Sequence, residues 1–131
     1  MSKKIITDAG KTELLRLAFQ SEEGGGAFKF LALGGENSQG AQGENFVEVS
    51  GDNYSRVTTT VSNLENKQIT ISGIFQEENY APASDGKIKE IGLCNTDSVS
   101  DGQVFFLYSE VPEINKTGDI SLEYTIIISI D

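Results

Sequence analysis

The residue types that most often carry out catalysis are scarce in this chain of 131 residues. Histidine is absent, which removes the commonest general base and the commonest zinc ligand. The single cysteine, Cys94, lies in the apolar run I-G-L-C and is interpreted as a buried structural thiol, since it can form no internal disulfide. The adjacent acids Glu22 and Glu23, like Glu77 and Glu78, lie in polar loops, where carboxylates are usually solvated. We therefore expect no enzyme activity, no cofactor and no metal.

Two short sequence patterns resemble ligand-binding motifs but lack residues that those motifs require. Residues 97–102, D-S-V-S-D-G, begin like a calcium loop, but Val99 at the third position and Tyr108 at the twelfth break the EF-hand pattern. Gly34 and Gly35 follow a predicted strand without the signature of a phosphate-binding loop, so we interpret them as a connection.

The absence of tryptophan weakens a sugar-binding interpretation. Four tyrosines could stack on sugars instead, which keeps a carbohydrate- or protein-binding module as an alternative: Tyr54, Tyr80, Tyr108 and Tyr124.

Charge and hydropathy exclude several further classes of protein. Ten basic and twenty acidic side chains give a net charge of −10. A surface this negative repels the phosphate backbone of nucleic acids and the headgroups of anionic lipids. The first residues lack the apolar stretch of a signal peptide, and no apolar run is long enough to span a bilayer. We expect a single domain, residues 1–131, that binds neither nucleic acid nor membrane.

One amphipathic helix is predicted near the start of the chain. The T-D pair at residues 7–8 can cap its first turn. Leu14, Leu15 and Ala18 recur at helical spacing, and the glycine-rich stretch 21–26 ends the helix. Because so short a helix is marginal alone in water, we expect this stripe to pack on the β body or on a neighbouring subunit.

From residue 28 onward the apolar period shortens to two, which is typical of strands. Seven strands are predicted, at residues 28–33, 46–49, 54–62, 69–75, 87–94, 103–111 and 121–130. The pattern favours a mainly β fold: an antiparallel β-sandwich or small barrel of six to seven strands with one short N-terminal helix. Residues 1–26 then form the helix and glycine-rich loop, and residues 27–131 form the β body.

Alternation within the strands predicts which side chains share a face. Val57 and Arg56 fall on opposite faces of their strand, and Gly73 suggests a β-bulge. The last strand alternates most clearly. Three of its side chains are predicted to point inward: Tyr124, Ile126 and Ile128.

Several short stretches of the chain also occur in the order found in a known family. They are I-I-T-D-A-G-K (5–11), F-K-F-L-A-L-G-G (28–35), V-S-G-D-N-Y-S-R-V (49–57), K-E-I-G-L-C (89–94), V-F-F-L-Y (104–108) and K-T-G-D (116–119). Together they resemble the bacteriophage tail-collar fibre and tail-fibre-like proteins over most of the chain. The third stretch resembles the S-G-G-x-Y-x-R segment of the tail-fibre-like domains. Gly35 and Glu36 depart from the Asp-Gly that the collar pattern favours.

The resemblance implies a non-enzymatic virion protein, made in the host cytoplasm, that serves as a tail, baseplate or fibre-attachment component. Its expected partners are other tail or baseplate proteins and further copies of itself, with threefold or sixfold symmetry. The loops at 34–45 and 77–86 and the helix are the expected contact surfaces, although each loop could be a plain solvated connection. The candidate assembly contacts are Leu14, Leu15, Ala18, Glu36, Asn37, Gln39, Gln42, Asn79 and Tyr80. A head-surface decoration protein or head-fibre base is an alternative role. The sequence ends directly after the last strand, which favours attachment over receptor binding.

Overall fold

The computed structural model describes residues 4–20, 27–36, 46–83 and 85–131, which form two antiparallel sheets and a helix. The helix is α1 (Asp8–Phe19). Sheet A contains, in spatial order, β2 (Val57–Thr58), β1 (Phe30–Gly34), β5 (Lys87–Cys94) and β6 (Phe105–Asn115). Sheet B contains β3 (Thr60–Glu65), β4 (Gln68–Phe75) and β7 (Leu122–Ser129). The predicted mainly β, seven-stranded fold is confirmed as a sandwich, and over the described ranges the sheets do not close into a barrel.

The hydrophobic core lies between the two sheets. Strand β4 sends Ile69, Ile71 and Phe75 inward, and β5 contributes Ile88 and Leu93 from the other side. All five are fully buried, and the shared face of the three β4 residues confirms the prediction from alternation. Full burial of such a side chain contributes roughly 1.5–3 kcal/mol, so this layer supplies much of the stability that holds the surface loops in place.

Gly73 lies within the core face of β4 and forms no bulge, so that prediction is wrong. The pairing of β4 with β7 runs without a shift from Gln68 to Phe75. A Cβ atom on Gly73 would lie 3.0 Å from Leu31 Cδ2 and 3.2 Å from Val57 Cγ2. The glycine is therefore needed for the close approach of sheet A, and the bulge occurs in β3, between Val61 and Asn63.

The predicted strand at 54–62 is divided between the two sheets. Strand β2 pairs with β1, whereas β3 pairs with β4, and the chain crosses over at Thr59, whose N–H donates to Lys29 O at 2.7 Å. The following turn lies at Asn66 and Lys67, later than the predicted turn at 63–66. Both residues have positive φ, 51° and 64°, which suits the two-residue hairpin turn that joins twisted strands.

Helix α1 is capped as predicted but buries a different stripe. The Thr7 hydroxyl accepts a bond from Gly10 N at 3.0 Å. Leu15 and Phe19, one helical turn apart, are buried, and Ala18 packs beside them. Leu14 is 51% exposed and does not pack on the β body, because it lies about 100° around the helix from Leu15. Its packing on a neighbouring subunit, the other expected surface, stays a prediction.

Two strand ends also differ from the sequence-based prediction. Strand β6 runs on to Asn115, through Pro112, where a loop was expected. Proline is compatible with this position because β6 is an edge strand of sheet A and its pairing with β5 is irregular between Glu110 and Ile114. The predicted short strand at 46–49 is reduced to a single bridge between Glu48 and Gly34.

The predicted register of the last strand is confirmed. Tyr124, Ile126 and Ile128 pack against the core, whereas Ile127 is 61% exposed on the opposite face. The three inward-facing side chains are only partly buried, because β7 is the outer strand of sheet B.

Candidate functional site

Two of the candidate contact residues in the 77–86 loop are engaged within the domain. The Asn79 side chain accepts from Ser55 N at 3.0 Å and donates to Ser55 O at 3.1 Å. Tyr80 is only 8% exposed, and its ring meets that of Tyr54 edge-on at a centroid distance of 6.0 Å. Tyr80 therefore offers little surface to another protein, and the role of both residues as assembly contacts stays a prediction.

A buried lysine, Lys116, is hydrogen-bonded to the backbone of the same loop. Lys116 is fully buried, and its Nζ donates to Glu77 O at 3.0 Å, to Tyr80 O at 3.2 Å and to Thr117 O at 3.4 Å. Burial lowers the pKa of this ammonium group. Its backbone N–H also donates to Gly86 O at 2.7 Å. The ammonium group thus fixes three carbonyl groups, two of which, Glu77 O and Tyr80 O, belong to the loop.

A second buried cation, Arg56, organises the outer face of sheet A. Arg56 Nε and Nη2 donate to the two carboxylate oxygens of Glu48, at 2.9 Å and 2.8 Å. Nη2 also donates to Gln103 Oε1 at 2.8 Å, and Nη1 donates to the backbone oxygens of Thr96 and Ser98 at 3.0 Å and 3.2 Å. We call Arg56, Glu48, Tyr54, Thr96, Ser98 and Gln103 the Arg56 cluster. It joins the neighbouring segments 46–50 and 54–57 to residues 95–103, which are distant from both in sequence.

Tyr54 extends this cluster into the sheet. Its hydroxyl donates to Glu48 Oε2 and accepts from Leu33 N at 3.1 Å. Burial, together with the hydrogen bond to Glu48, raises the pKa of Tyr54 far above its ordinary value. The hydrogen bond to Glu48 likewise raises the pKa of Arg56. The Arg56 cluster therefore joins the Glu48 side chain to a buried hydroxyl and a buried guanidinium, an arrangement that stabilises the local structure.

The prediction from alternation that Arg56 and Val57 lie on opposite faces of the strand is confirmed. The face that carries Arg56 is nevertheless not open to solvent. Arg56 is only 7% exposed, because the 46–50 and 95–103 segments cover it. Strand alternation cannot reveal such cover. The one signal in the sequence was the stretch at 49–57, which carried the family resemblance and contains both Tyr54 and Arg56.

Aromatic rings continue this cover over the end of β5. The Phe105 ring stacks on Tyr108 at 4.9 Å and contacts Phe46 at 5.3 Å, and the Arg56 guanidinium lies 5.2 Å from its centre. The rings lie close to the backbone because Gly92 has no side chain: a Cβ there would be 2.8 Å from Phe105 Cε1. Cys94 is buried in the same region, as predicted.

The remaining candidate contacts are dispersed. Glu36 is exposed and lines a cleft of about 520 Å³ together with Tyr80 and with Lys87 and Lys89 of β5. Leu14 is exposed on α1, whereas Leu15 and Ala18 face the β body. Three candidates lie outside the described residues: Asn37, Gln39 and Gln42.

The exposed side of α1 is apolar and was not fully recognised from the sequence. Leu17 is 47% exposed and lies three residues from Leu14, so the two side chains share a face of the helix. Ile5 and Ile6, just before the helix, are also exposed. We call Leu14 and Leu17 the α1 patch. Its signal in the sequence was the second, flanking row of leucines beside Leu15.

Comparison of the chain with known protein families, curated proteins and solved structures found no match. Within the described residues, no group of three or more cysteine and acidic side chains is placed to hold a metal ion. The helix found in those ranges is too short to cross a membrane.

Proposed function

We propose that this protein is a non-enzymatic structural component of a bacteriophage particle, made in the host cytoplasm, that serves in the tail, baseplate or fibre attachment. It acts by assembling with other tail or baseplate proteins and with further copies of itself. The observation that carries the proposal is the distribution of polar and apolar side chains between the interior and the surface. Arg56, Glu48, Tyr54 and Lys116 are bonded inside the domain, whereas apolar side chains such as Leu14 lie on its surface.

The Arg56 cluster supports an assembly role because it gives loops a fixed shape. A loop whose carbonyl groups are already bonded loses little conformational freedom when a partner binds. The 95–103 loop is held in this way through Thr96 and Ser98. The family resemblance supports the same role, since its stretch at 49–57 supplies Tyr54 and Arg56.

Location in the particle is the first test. Immunogold labelling and mass spectrometry of purified phage particles should find the protein in the tail. Labelling on the head would favour the alternative role as a decoration protein or head-fibre base. Absence from the particles would contradict both virion roles.

Binding to tail proteins encoded beside this chain is the second test, and the α1 patch allows a matched design. Leu14→Glu with Leu17→Glu places two charges on the patch, while Ile120→Glu places a charge on an exposed residue outside both α1 and the 95–103 loop. We expect the double variant to lose binding to its tail partner and the Ile120 variant to keep it. Equal binding by both variants would remove the α1 patch from the proposal.

One observation favours a second candidate, a carbohydrate-binding module. A cleft of about 390 Å³ is lined by Phe46, Phe105 and Tyr108 together with Glu48 and Gln103. Aromatic rings beside polar side chains suit the apolar and hydroxyl faces of a sugar. A glycan array with the wild-type protein and Tyr108→Ala tests it: a signal lost in the variant would support this module.

A further inference from the structure

The outer strands of the two sheets are protected to very different degrees. An exposed edge strand offers unpaired N–H and C=O groups to any other strand, and proteins usually block it by shortness, bulges, proline or lysine. Strand β2 has two residues, and β3 contains a bulge. Strand β6 contains Pro112 and pairs irregularly with β5. Strand β7 has eight residues in unbroken register and contains neither proline nor lysine.

The free side of β7 can be identified from its hydrogen bonds. Ile130 N donates to Lys67 O at 2.9 Å, in the register that joins β7 to β4. Because the direction of backbone groups alternates along a strand, the even-numbered residues of β7 face β4. The N–H and C=O groups of four residues therefore point away from β4, where sheet B contains no further described strand: Glu123, Thr125, Ile127 and Ser129.

We propose that two copies of this chain pair through β7, antiparallel and about a twofold axis at Ile126, to give one continuous six-stranded sheet. Pairing about Ile126 aligns the whole strand with itself. About eight backbone hydrogen bonds form, two for each outward-pointing residue. This inference deepens the assembly role proposed above, and rests on it, by naming the partner of one edge.

Side-chain chemistry selects this register. On the core face, Leu122 lies opposite Ile130 of the second copy, and Tyr124 opposite Ile128, so that apolar groups meet throughout. On the outer face, Thr125 lies opposite Ile127, and Glu123 opposite Ser129. A shift of the axis to Ile127 would place Glu123 opposite Asp131, and acids in that position repel each other. The chain's net charge of −10 makes this avoidance important.

Several side chains of β7 are exposed to solvent and would be covered by a second copy. Ile127 is 61% exposed, and Tyr124, Ile126 and Ile128 remain partly exposed although they face the core. The Tyr124 hydroxyl is buried without a hydrogen-bond partner among the described residues. A second β7 would lie directly beside these side chains and remove further apolar area from water.

Sedimentation velocity and a cysteine cross-link test the pairing. The wild-type protein should sediment as a dimer. Ile127→Pro removes only an outward-pointing N–H and should weaken the dimer at least about tenfold, a loss of about 1.4 kcal/mol. Ile74→Lys, on the exposed face of the central strand β4, is the matched surface control and should leave the dimer intact.

The register has its own readout, which does not depend on how Ile127→Pro folds. Ile126→Cys places two sulfurs on the twofold axis, where facing residues are about 4.5 Å apart between Cα atoms, and should cross-link on mild oxidation. Thr125→Cys should cross-link far less. A wild-type monomer, equal cross-linking of both variants, or capture of a different protein by the Ile126→Cys variant would each overturn the inference. These results leave the location in the phage particle as a separate measurement, so the two proposals can fail independently.

Discussion

The outer faces of the two sheets are built in opposite ways. On sheet A, Cys94 and Gly92 are buried beneath aromatic rings and the Arg56 cluster. On sheet B, Ile74 and Ile127 are 45% and 61% exposed, and no comparable layer of described residues covers them. A face covered by loops must satisfy every polar group internally, whereas a bare face leaves its side chains available to a partner. The comparison shows internal bracing on sheet A and supports the proposal that sheet B associates with a partner.

The largest expected effect comes from breaking the ion pair on sheet A. Glu48→Ala should destabilise the fold by about 3–5 kcal/mol, because it leaves the buried Arg56 charge without its carboxylate. Urea denaturation measures this directly. The control is Glu13→Ala, which removes the exposed pair with Arg16 on α1 and should leave the unfolding midpoint unchanged. Similar midpoints for the two variants would show that the Arg56 cluster does not brace the fold.

A smaller loss is expected on the inner face of β7. Ile126→Ala should cost about 2 kcal/mol, the lower end of the usual range, because Ile126 is only partly buried. Ile127→Ala should cost less than about 0.5 kcal/mol in the folding of one chain. Both variants need measurement at one protein concentration, since the proposed dimer would also contribute to stability. A larger loss for Ile127→Ala would reverse the assignment of the two faces.

The glycine beneath the aromatic rings gives a third contrast. Gly92→Ala should cost about 1–2 kcal/mol, because the new Cβ would lie 2.8 Å from the Phe105 ring and the ring must move. Gly102→Ala meets nothing within 4 Å and should leave the melting temperature unchanged or slightly raise it. Equal melting temperatures would mean that the rings on sheet A are loosely packed.

The fold could be predicted where local pattern decides the structure. The cap at Thr7, the inward face of β4 and the register of β7 follow from residue type and alternation. The division of 54–62 between two sheets did not follow, since β2 and β3 alternate alike. Strand β6 continues through Pro112 because it is an edge strand whose pairing with β5 is irregular there, and sheet order depends on contacts between residues far apart in sequence.

The site was harder to predict for the same physical reason. A buried arginine and an exposed arginine have the same place in a strand pattern, and the difference lies in loops that fold over one of them. Arg56 takes its partners from positions 48, 96, 98 and 103, so no short window of sequence contains the cluster. For Leu14, Leu15 and Ala18 the prediction left open the β body or a neighbouring subunit, because helical spacing alone does not reveal which of the three side chains faces inward.

The smallest expected difference between the two sheets is in how their tyrosines respond to alkaline pH. Burial raises the pKa of all four tyrosines: Tyr54, Tyr80, Tyr108 and Tyr124. In the unfolded chain these phenols lose their protons near pH 10, about their ordinary pKa, whereas the folded chain keeps them. Above that pH the unfolded state binds fewer protons, so stability must fall as the pH rises. Lys116, whose pKa burial lowers, acts with the opposite sign, but it is one group against four.

Tyr54 and Tyr124 separate the contributions of the two sheets to this response. Tyr54→Phe should cost about 1–2 kcal/mol at neutral pH, because Leu33 N–H loses its acceptor, and should then flatten the loss of stability above about pH 10. Tyr124→Phe should be nearly neutral at pH 7, since its hydroxyl has no partner among the described residues, and should flatten the alkaline loss less. Urea midpoints from about pH 8 to pH 11, with phenolate absorbance followed in parallel, measure both slopes. The Tyr54 hydroxyl is hydrogen-bonded to Glu48, whereas the pKa of Tyr124 is raised by burial alone. If Tyr124→Phe flattened the alkaline loss of stability more than Tyr54→Phe does, the phenol with the more strongly raised pKa would lie on sheet B. That result would contradict the bracing role of the Arg56 cluster.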